Sequence, residues 1–476
     1  MGRLPATIPR AGDDRSFFAE PLGFLEEARA RAGDLFVLRD GAPLFSRSPD
    51  CAGVVVALGS ERQQTILTDI ASFGMPPSAA HHLKLPARLA NLNRSLHSMR
   101  GQEHSSRKRM LSTILTPPRN GPSYAALRPT LKDAVSGWKS KRPFGLLSAM
   151  RSLAQRSSSH LLFAAHRKGD DELTARLTAY FHLRREASSP AASAQPGDMA
   201  KLLAAGNALD RSLRAYVRSC RRLPAKHDEG IFATLARAEV AAGEPMSEDE
   251  VIAHINVLHI SSTEPVAVSL AWIVLILTQL PGLQELLRRQ IREDPGAPDE
   301  GVPAFDRNRL LDRVINESLR LFPPNAFMVR TTMRPTSLNG VDLPKGCEVV
   351  LCPLLAHRDP AKFPDPGAFL PSRWQRATPS PFDYFPFGGG GHACIGRAFA
   401  LPLIKLVLSF LLERFELTLD GDQAIDWRLH IMLMPRSDPL VLAQSPKTTG
   451  GRPGTLAGPV AGLLDLTEAK LDSTCP

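Results

Sequence analysis

The sequence predicts a mainly α chain with small β-sheets, folded as a single large domain. Three observations carry that expectation. Helix-compatible periodicity recurs over most of the 476 residues, whereas strand-like runs are short and bounded by turns, as around Leu35–Leu38, Pro43–Phe45 and Leu338–Gly346. The longest apolar stretches, around Ala271–Leu280 and Leu401–Leu412, are interrupted by polar residues and suit buried helices. Finally, Phe387-Gly-Gly-Gly-Gly-His-Ala-Cys394-Ile-Gly396 sets four consecutive glycines ahead of a cysteine and a helix-prone run from Arg397. Glycine has no Cβ and accepts φ > 0, so this backbone can lie close to a large planar neighbour while Cys394 offers it a thiolate.

That loop resembles the ligand loop of the cytochrome P450 family, Phe-x-x-Gly-x-His/Arg-x-Cys-x-Gly, at every fixed position: Phe387, Gly390, His392, Cys394 and Gly396. The resemblance implies a cytochrome P450 fold centred on haem b (iron protoporphyrin IX), with Cys394 as the axial ligand of the iron. A proximal cysteinate pushes electron density toward O–O cleavage. It also implies that Gly388 and Gly396 border the cofactor, that His392 meets a propionate and that Phe387 packs near the sulfur. Read without the family, the same loop is compatible with a glycine-rich turn beside a structural cysteine.

The bulk composition agrees with a folded enzyme. Hydrophobic residues make up 43% of the chain, enough for a sizeable core. The six cysteines, Cys51, Cys220, Cys347, Cys352, Cys394 and Cys475, contain no CxxC pair, so a reducing cytoplasm is expected rather than a disulfide framework. Met1-Gly-Arg-Leu-Pro-Ala has neither a signal-peptide core nor a membrane anchor. A net charge of +10 suits docking of an acidic electron carrier, attraction of an anionic substrate or simple solubility. Nucleic-acid binding is not expected, because basic runs such as Arg107-Lys-Arg109 are short and lack aromatic interleaving. Residues 1–15 read as a flexible leader, 16–443 as the domain, and 444–476 as a mobile tail with a frayed helix at Leu463–Ala469.

In chain order, Glu20–Ala32 reads as a first helix and is followed by strands at Leu35–Leu38 and Pro43–Phe45. Helical pattern then returns and breaks at Phe73-Gly-Met-Pro-Pro77; the stretch from there to Leu96 resembles the family segment that closes over substrate. His104 and Lys108 stand four apart and would share one helix face. The family uses His and Arg at this spacing to hold a haem propionate, within a segment closed here by Leu115-Thr-Pro117. Lysine keeps the charge but loses the bidentate fork. A solvated basic face is the plainer reading of the same residues. Residues 119–224 are mostly helical, and Ala187–Pro196, rich in Ser, Ala and Pro, resembles a linker within the family's mobile lid.

Ser247-Glu-Asp-Glu250 has the form of a capping box and starts a helix expected to run to about Leu280. Around Leu270-Ala-Trp272 it resembles the long central helix of the family. That alignment puts Ser261, Ser262, Thr263, Glu264 and Pro265 where the family has small residues, an acid and an alcohol. The alcohol, normally threonine, organises proton delivery during oxygen activation. Pro265 cannot do so, and its missing N–H leaves the Ser261 carbonyl without a helical partner, so the helix is expected to open there. Water and a substrate hydroxyl, or Thr263 or Ser262, would then deliver protons. A proline kink that only shapes the pocket is the alternative. Peroxide-driven relatives also carry proline here but pair it with a basic residue, where this chain has Glu264. His254 and His259 read as helix histidines rather than metal ligands.

Glu317 and Arg320, three apart on a helix expected over Arg309–Phe322, resemble the family's Glu-x-x-Arg motif, and Arg373 supplies its second arginine. Their implied role is structural: one carboxylate meeting two guanidinium groups behind the haem. Arg330 matches an arginine that contacts a propionate. Ser261, Ala326, Phe327, Met328, Met432 and Leu433 are expected to line the substrate pocket. No Gly-x-Gly-x-x-Gly nucleotide loop occurs, so NAD(P)H would reach the enzyme through a reductase and a ferredoxin-type donor. The expected function is a soluble bacterial-type haem-thiolate monooxygenase, using O2 on an apolar small molecule in specialised metabolism. A peroxide-using, desaturating or radical-coupling enzyme and a catalytically idle haem-binding scaffold are the alternatives.

Overall fold

In the computed structural model the described residues are 3–12, 17, 20–46, 48, 50–76, 83–116, 126–139, 142–163, 170–187, 196–224, 230–240, 243–293, 309–429, 431–446 and 454–467. Helix α1 (Pro21–Ala32) leads to strands β1 (Leu35–Asp40) and β2 (Gly53–Ala57), then α2 (Ser60–Thr68), the short β3 (Phe73–Gly74), α3 (Ala87–Asn91) and α4 (Gly101–Ile114). The helical body continues through α5 (Leu127–Ala134), a short β4 (Phe144–Gly145), α6 (Leu146–Phe163), α7 (Asp170–Ala187), α8 (Pro196–Arg222) and α9 (Ile231–Ala236). Next come α10 (Glu248–Ser261), α11 (Glu264–Thr278), α12 (Pro281–Glu293) and α13 (Leu310–Leu321). Strands β5 (Met328–Thr332), β6 (Thr336–Leu338), β7 (Val341–Leu343) and β8 (Cys347–Leu351), with α14 (Pro353–Ala356), precede the cysteine loop and α15 (Arg397–Arg414). The chain closes with β9 (Glu416–Leu419), β10 (Gln423–Ala424), β11 (Trp427–Leu429), β12 (Leu433–Pro435), β13 (Leu440–Gln444), β14 (Leu456–Ala457) and α16 (Pro459–Gly462).

The largest sheet has the order β1-β2-β8-β5-β3. Its β2–β8 pair is parallel and the other neighbours are antiparallel. Helix α11 is buried from Val266 to Thr278, as an element apolar on all sides must be. The stretch Glu248–Thr278 is long and apolar enough to cross a membrane, but most of it lies inside the protein, packed as a core helix. Its start is capped as the sequence predicts: Glu250 N donates to the Ser247 hydroxyl at 3.2 Å.

Four expectations are corrected. Pro43–Phe45 forms no strand; the second strand is β2, and the amides of Leu44, Phe45 and Ser46 converge on the Glu348 carboxylate instead. Proline's missing N–H makes that stretch a poor ladder partner. The described part of the leader is packed, with Leu4, Ile8 and Ala11 buried and Ala11 N donating to Val37 O at 2.8 Å. The C-terminal segment 454–467 also docks: β14 pairs with β10, Leu456 N donates to Gln279, and Phe369 N donates to Asp465 O. Open strand edges and apolar side chains such as Val460 give these ends something to bury. Among the described residues the last helix is α16, and Asp465 bridges to Ala368 within the stretch expected to be helical, whose end at 468–469 lies outside the described residues. The Ser/Ala/Pro linker at 188–195, Pro77, Pro117, and the ends of the leader and tail lie outside the described residues.

Candidate functional site

The cysteine loop folds as it does because it must pass very close to α2. Gly390 has φ +61°, and a Cβ there would collide with the carbonyl oxygen of Leu67. Gly388, at φ +69°, lies beside Met328: a Cβ on it would stand 3.8 Å from Met328 Cε. Cys394 N donates to Phe387 O at 2.8 Å, which ties the two ends of the loop together. Gly396 caps α15, and a Cβ there would be 3.6 Å from the Cys394 sulfur. The sulfur therefore sits at a helix N-terminus, whose dipole favours a thiolate. Cys394 is exposed, whereas Cys51, Cys220, Cys347 and Cys352 are buried. The protein nonetheless surrounds it closely: burial pushes its thiol pKa up, opposed by the Gly396 and Arg397 amides and the charge of Lys108.

A basic group gathers on one side of this loop. His104, buried on α4, packs edge-on against His392 with ring centroids 4.5 Å apart. One turn on, Lys108 Nζ donates to Gly391 O at 2.6 Å. Arg330 is 4% exposed on β5; its Nη1 donates to Val329 O, and its Nε is buried without a partner. Burial pushes Arg330 down to about 10. Burial, followed by Arg330, His104, His97 and Lys108, pushes His392 down to about 3. His97 belongs to the same group, since burial and the charges of Arg330 and His104 lower its pKa. The sequence reading missed His97 because it lies on the separate single-turn 3-10 helix Leu96–Ser98, where no spacing rule links it to His104. Among the described residues none of these five groups has a carboxylate partner.

These residues fit haem b. Cys394 offers the iron ligand, and the Arg330 and Lys108 cations, above all the orphaned Arg330 Nε, are what two propionates would neutralise, with the neutral histidine rings beside them as hydrogen-bond donors.

The central helix is broken. Helix α10 ends at Ser261, α11 begins at Glu264, and Pro265 at its second position offers no N–H to Ser261. Ser262 Oγ and Thr263 Oγ1 both donate to His259 O, at 2.9 and 2.8 Å. Ser158 Oγ on α6 donates to Ser262 O at 2.9 Å. Glu264 is held by Arg151 of α6, a partner that sequence spacing could not reveal.

Below the loop, Glu317 and Arg320 are fully buried. Glu317 accepts from Arg320 Nε and Nη2, Arg373 Nε, Leu370 N and Trp374 Nε1, all at 2.8–3.0 Å. Arg320 also donates to the carbonyls of His357, Pro366 and Ala368. His357 in turn accepts from Phe385 N, two residues before Phe387, and so connects this set to the cysteine loop. Three of the expected pocket residues are packed instead. Ala326, Phe327 and Leu433 are 0–1% exposed, and the Phe327 ring lies against Phe17 and Phe45. Met328 and Met432 are half-buried and Ser261 is exposed. A backbone bond from Ala326 N to Ile431 O brings the β11–β12 hairpin alongside the residues before β5.

A thiolate at a helix head, a cationic rim and a buried Glu–Arg–Arg set define a haem-thiolate protein. The sequence profile of the family described as Cytochrome P450 matches residues 94–442, and the chain belongs to that family. It is accordingly an oxidoreductase with the single-domain P450 fold, and its cofactor is haem b. The chain is 27% identical over 434 residues to the cyclooctat-9-en-7-ol 5-monooxygenase of Streptomyces melanosporofaciens, covering 87% of this chain and 89% of that one. It is 26% identical over 425 residues to the cyclooctatin synthase of the same organism, with the same coverage. Among solved structures, a cytochrome P450DA haem domain aligns with a TM-score of 0.75 at 20% identity, over 93% of this chain and 98% of that one. The retinoic-acid-bound cyanobacterial CYP120A1 aligns at 0.73 and 20%, over 92% and 100%. At these identities the structural likeness concerns the fold alone.

Proposed function

We propose that this protein is a cytoplasmic haem-thiolate monooxygenase of specialised metabolism. It would oxidise an apolar, terpenoid-class small molecule with O2, taking electrons from a ferredoxin-type donor and its NAD(P)H-dependent reductase. The observation that carries the reading is Cys394 at the head of α15 beside a basic rim that has no acidic partner among the described residues. The names of the two Streptomyces relatives support the substrate class.

Bound haem supplies the oxygen-activating redox chemistry, and the protein supplies ligand, orientation and proton access. Cys394 would hold the iron, with Phe387 and the amides around Gly396 restraining its sulfur. His392, His104, Lys108 and Arg330 would hold the propionates, joined by His97. Gly388 and Gly396 would keep the loop thin against the cofactor. The Glu317–Arg320–Arg373 set would keep the loop in place without touching substrate.

Proton access is where this chain departs from its family. Thr263 and Ser262 spend their hydroxyl protons on the His259 carbonyl, so their oxygens remain only as acceptors for water. Glu264 is engaged by Arg151, and Pro265 has no proton to give. A water chain in the helix opening, completed by a hydroxyl of the substrate, fits these constraints better than a side-chain relay.

The ferric spectrum of the purified holoprotein, titrated with apolar terpenoid alcohols, tests the reading. A saturable shift from low to high spin, followed by NAD(P)H-dependent product formation with a ferredoxin and reductase, is expected. Product with peroxide alone would move the protein to the peroxide-using class. A haem-thiolate spectrum with no turnover under either supply would leave the scaffold reading.

A further inference from the structure

The register of β1 on β2 sets Leu35 opposite Ala57, so Asp34 and Gly59 meet just beyond the end of the pair, at the head of α2. Gly59 takes φ +83°, and a Cβ on it would stand 3.1 Å from Asp34 Oδ2. Arg29, in the last turn of α1, spans two acids: Nε donates to Asp34 at 2.8 Å, and Nη2 donates to Asp359, just after α14, at 3.0 Å. From α2, Ser60 Oγ donates to Asp383, on the segment that leads into the cysteine loop. These groups line a cavity of about 210 Å³ between α1, α2 and the end of α14, with the exposed Lys362 at its edge.

Two features of this cavity are not explained by folding. Gln63, at the end of the first turn of α2, lines it and is 2% exposed, yet its side-chain amide makes no hydrogen bond among the described residues. An amide taken out of water without a partner is costly, and an apolar side chain at the same helical position carries no such cost. The lining charges are also unbalanced. Asp34, Asp359 and Asp383 face only Arg29 and Lys362, and Arg29 is already shared between two of them. Asp383 is 8% exposed and has Lys362 at 3.6 Å, too far for a hydrogen bond, so only its Oδ1 accepts one. Asp34 Oδ2 likewise accepts none among the described residues.

Size and chemistry narrow the guest. Pockets for drug-sized ligands run to about 300–1,000 Å³, so this one suits a smaller molecule than a terpenoid. Among the described residues no acidic, histidine and cysteine side chains are grouped to hold a metal ion, so the cation that restores balance is an organic one. An ammonium brings three donors to carboxylate oxygens with lone pairs to spare, and an amide can serve either an amine or a hydroxyl. None of the lining residues belongs to the Cys394 loop, the basic rim or the helix break.

We propose that this cavity binds a small aliphatic amine, its ammonium balanced by Asp383 and Asp34 and its second polar group hydrogen-bonded to the Gln63 amide. The site is separate from the haem-thiolate centre, and the inference does not depend on the monooxygenase reading.

The test is a calorimetric titration of ferric holoprotein with putrescine, spermidine and ethanolamine, beside 1,4-butanediol and ethylene glycol as neutral counterparts, with the visible spectrum followed throughout. At least one amine should bind saturably, one per chain, with a Kd below about 1 mM and about tenfold or more tighter than the diols. The Soret band should stay in place, because an amine that reached the haem iron would shift it. Asp383→Asn should weaken binding about tenfold and Gln63→Leu about fivefold. Glu61→Gln, on the same helix but exposed and outside the cavity, should leave it unchanged. Lys362→Met should tighten it about threefold, since the lysine competes for Asp383, and misfolding cannot mimic a gain. No saturable binding of any amine, equal binding of the diols, affinity unchanged in both Asp383→Asn and Gln63→Leu, or binding that always moves the Soret band would each overturn the proposal. A protein that lacks a cysteinate haem spectrum but still binds the amine would fail the enzyme reading and leave this site standing.

Discussion

Arg151 and Glu264 meet in a two-pronged ion pair. Arg151 Nε lies 3.1 Å from both carboxylate oxygens, and Nη2 lies 2.5 Å from Oε1. The pair fastens α6 to the first turn of α11, and Ser158, two turns further along α6, fastens Ser262 on the other side of the break. A helix interrupted by proline is thus held open by its neighbour.

If that is its role, the pair is structural. The two side chains are 34% and 15% exposed, so Arg151→Met should leave a shielded carboxylate without its partner and cost about 1–3 kcal/mol. The melting temperature of the holoprotein checks this, and Glu264→Gln should lose a similar amount. An Arg151→Met protein as stable as the parent would return Glu264 to the list of candidate proton carriers.

Glu317 is a harsher case. It accepts five hydrogen bonds in a dry interior, so Glu317→Ala strands two guanidinium groups and should cost about 3–5 kcal/mol. The ratio of haem to protein after purification is the readout. It should fall toward zero, while Arg373→Lys, at the more exposed end of the set, should keep most of its haem.

The cationic rim should govern haem retention rather than spectrum. Arg330→Leu should speed haem loss to an acceptor protein by about tenfold or more, because a charge-assisted bond to a propionate is removed. Lys108→Arg should slow that loss or leave it unchanged. Cys394→Ser should do the reverse: the cysteinate signature disappears even where haem is retained.

Acid should loosen the brace between α4 and α10. Burial works against the charged form of Glu250, but the nearby His254 ring and the hydrogen-bonded Arg107 guanidinium outweigh it and hold the carboxyl down at about 2. A carboxyl whose folded value lies below the ordinary 4.5 stabilises the fold above that pH. Its contribution, at most about 3 kcal/mol, is lost as pH falls from about 4.5 toward about 2. Glu250→Gln should flatten the stability profile over that window and leave the slope above pH 5 unchanged, as followed by denaturant unfolding at each pH.

Most of the site was legible where one residue's chemistry depends on its immediate neighbours. Cys394, the glycines and Phe387 lie within ten residues, and Glu317 and Arg320 within one helical turn, so local geometry brings them together. His97, Arg151 and Trp374 were not legible. Each meets its partner across a separation that only tertiary packing closes: Arg151 is 113 residues from Glu264, and Trp374 is 57 from Glu317. The pocket wall was misjudged for the same reason, since adjacency to Arg330 says nothing about which side Phe327 turns its ring.

The sequence by itself determined the family, the cofactor, the candidate thiolate and the place where the central helix fails. These follow from covalent facts: a cysteine between glycines, and a proline without an N–H. Only the tertiary structure decided what those features do together. It turned Glu264 away to Arg151, occupied the Thr263 hydroxyl with His259 and docked the C-terminal segment beside the end of α11. Charge pairing and burial depend on distances between elements far apart in the chain, and those distances are set by packing of the whole core.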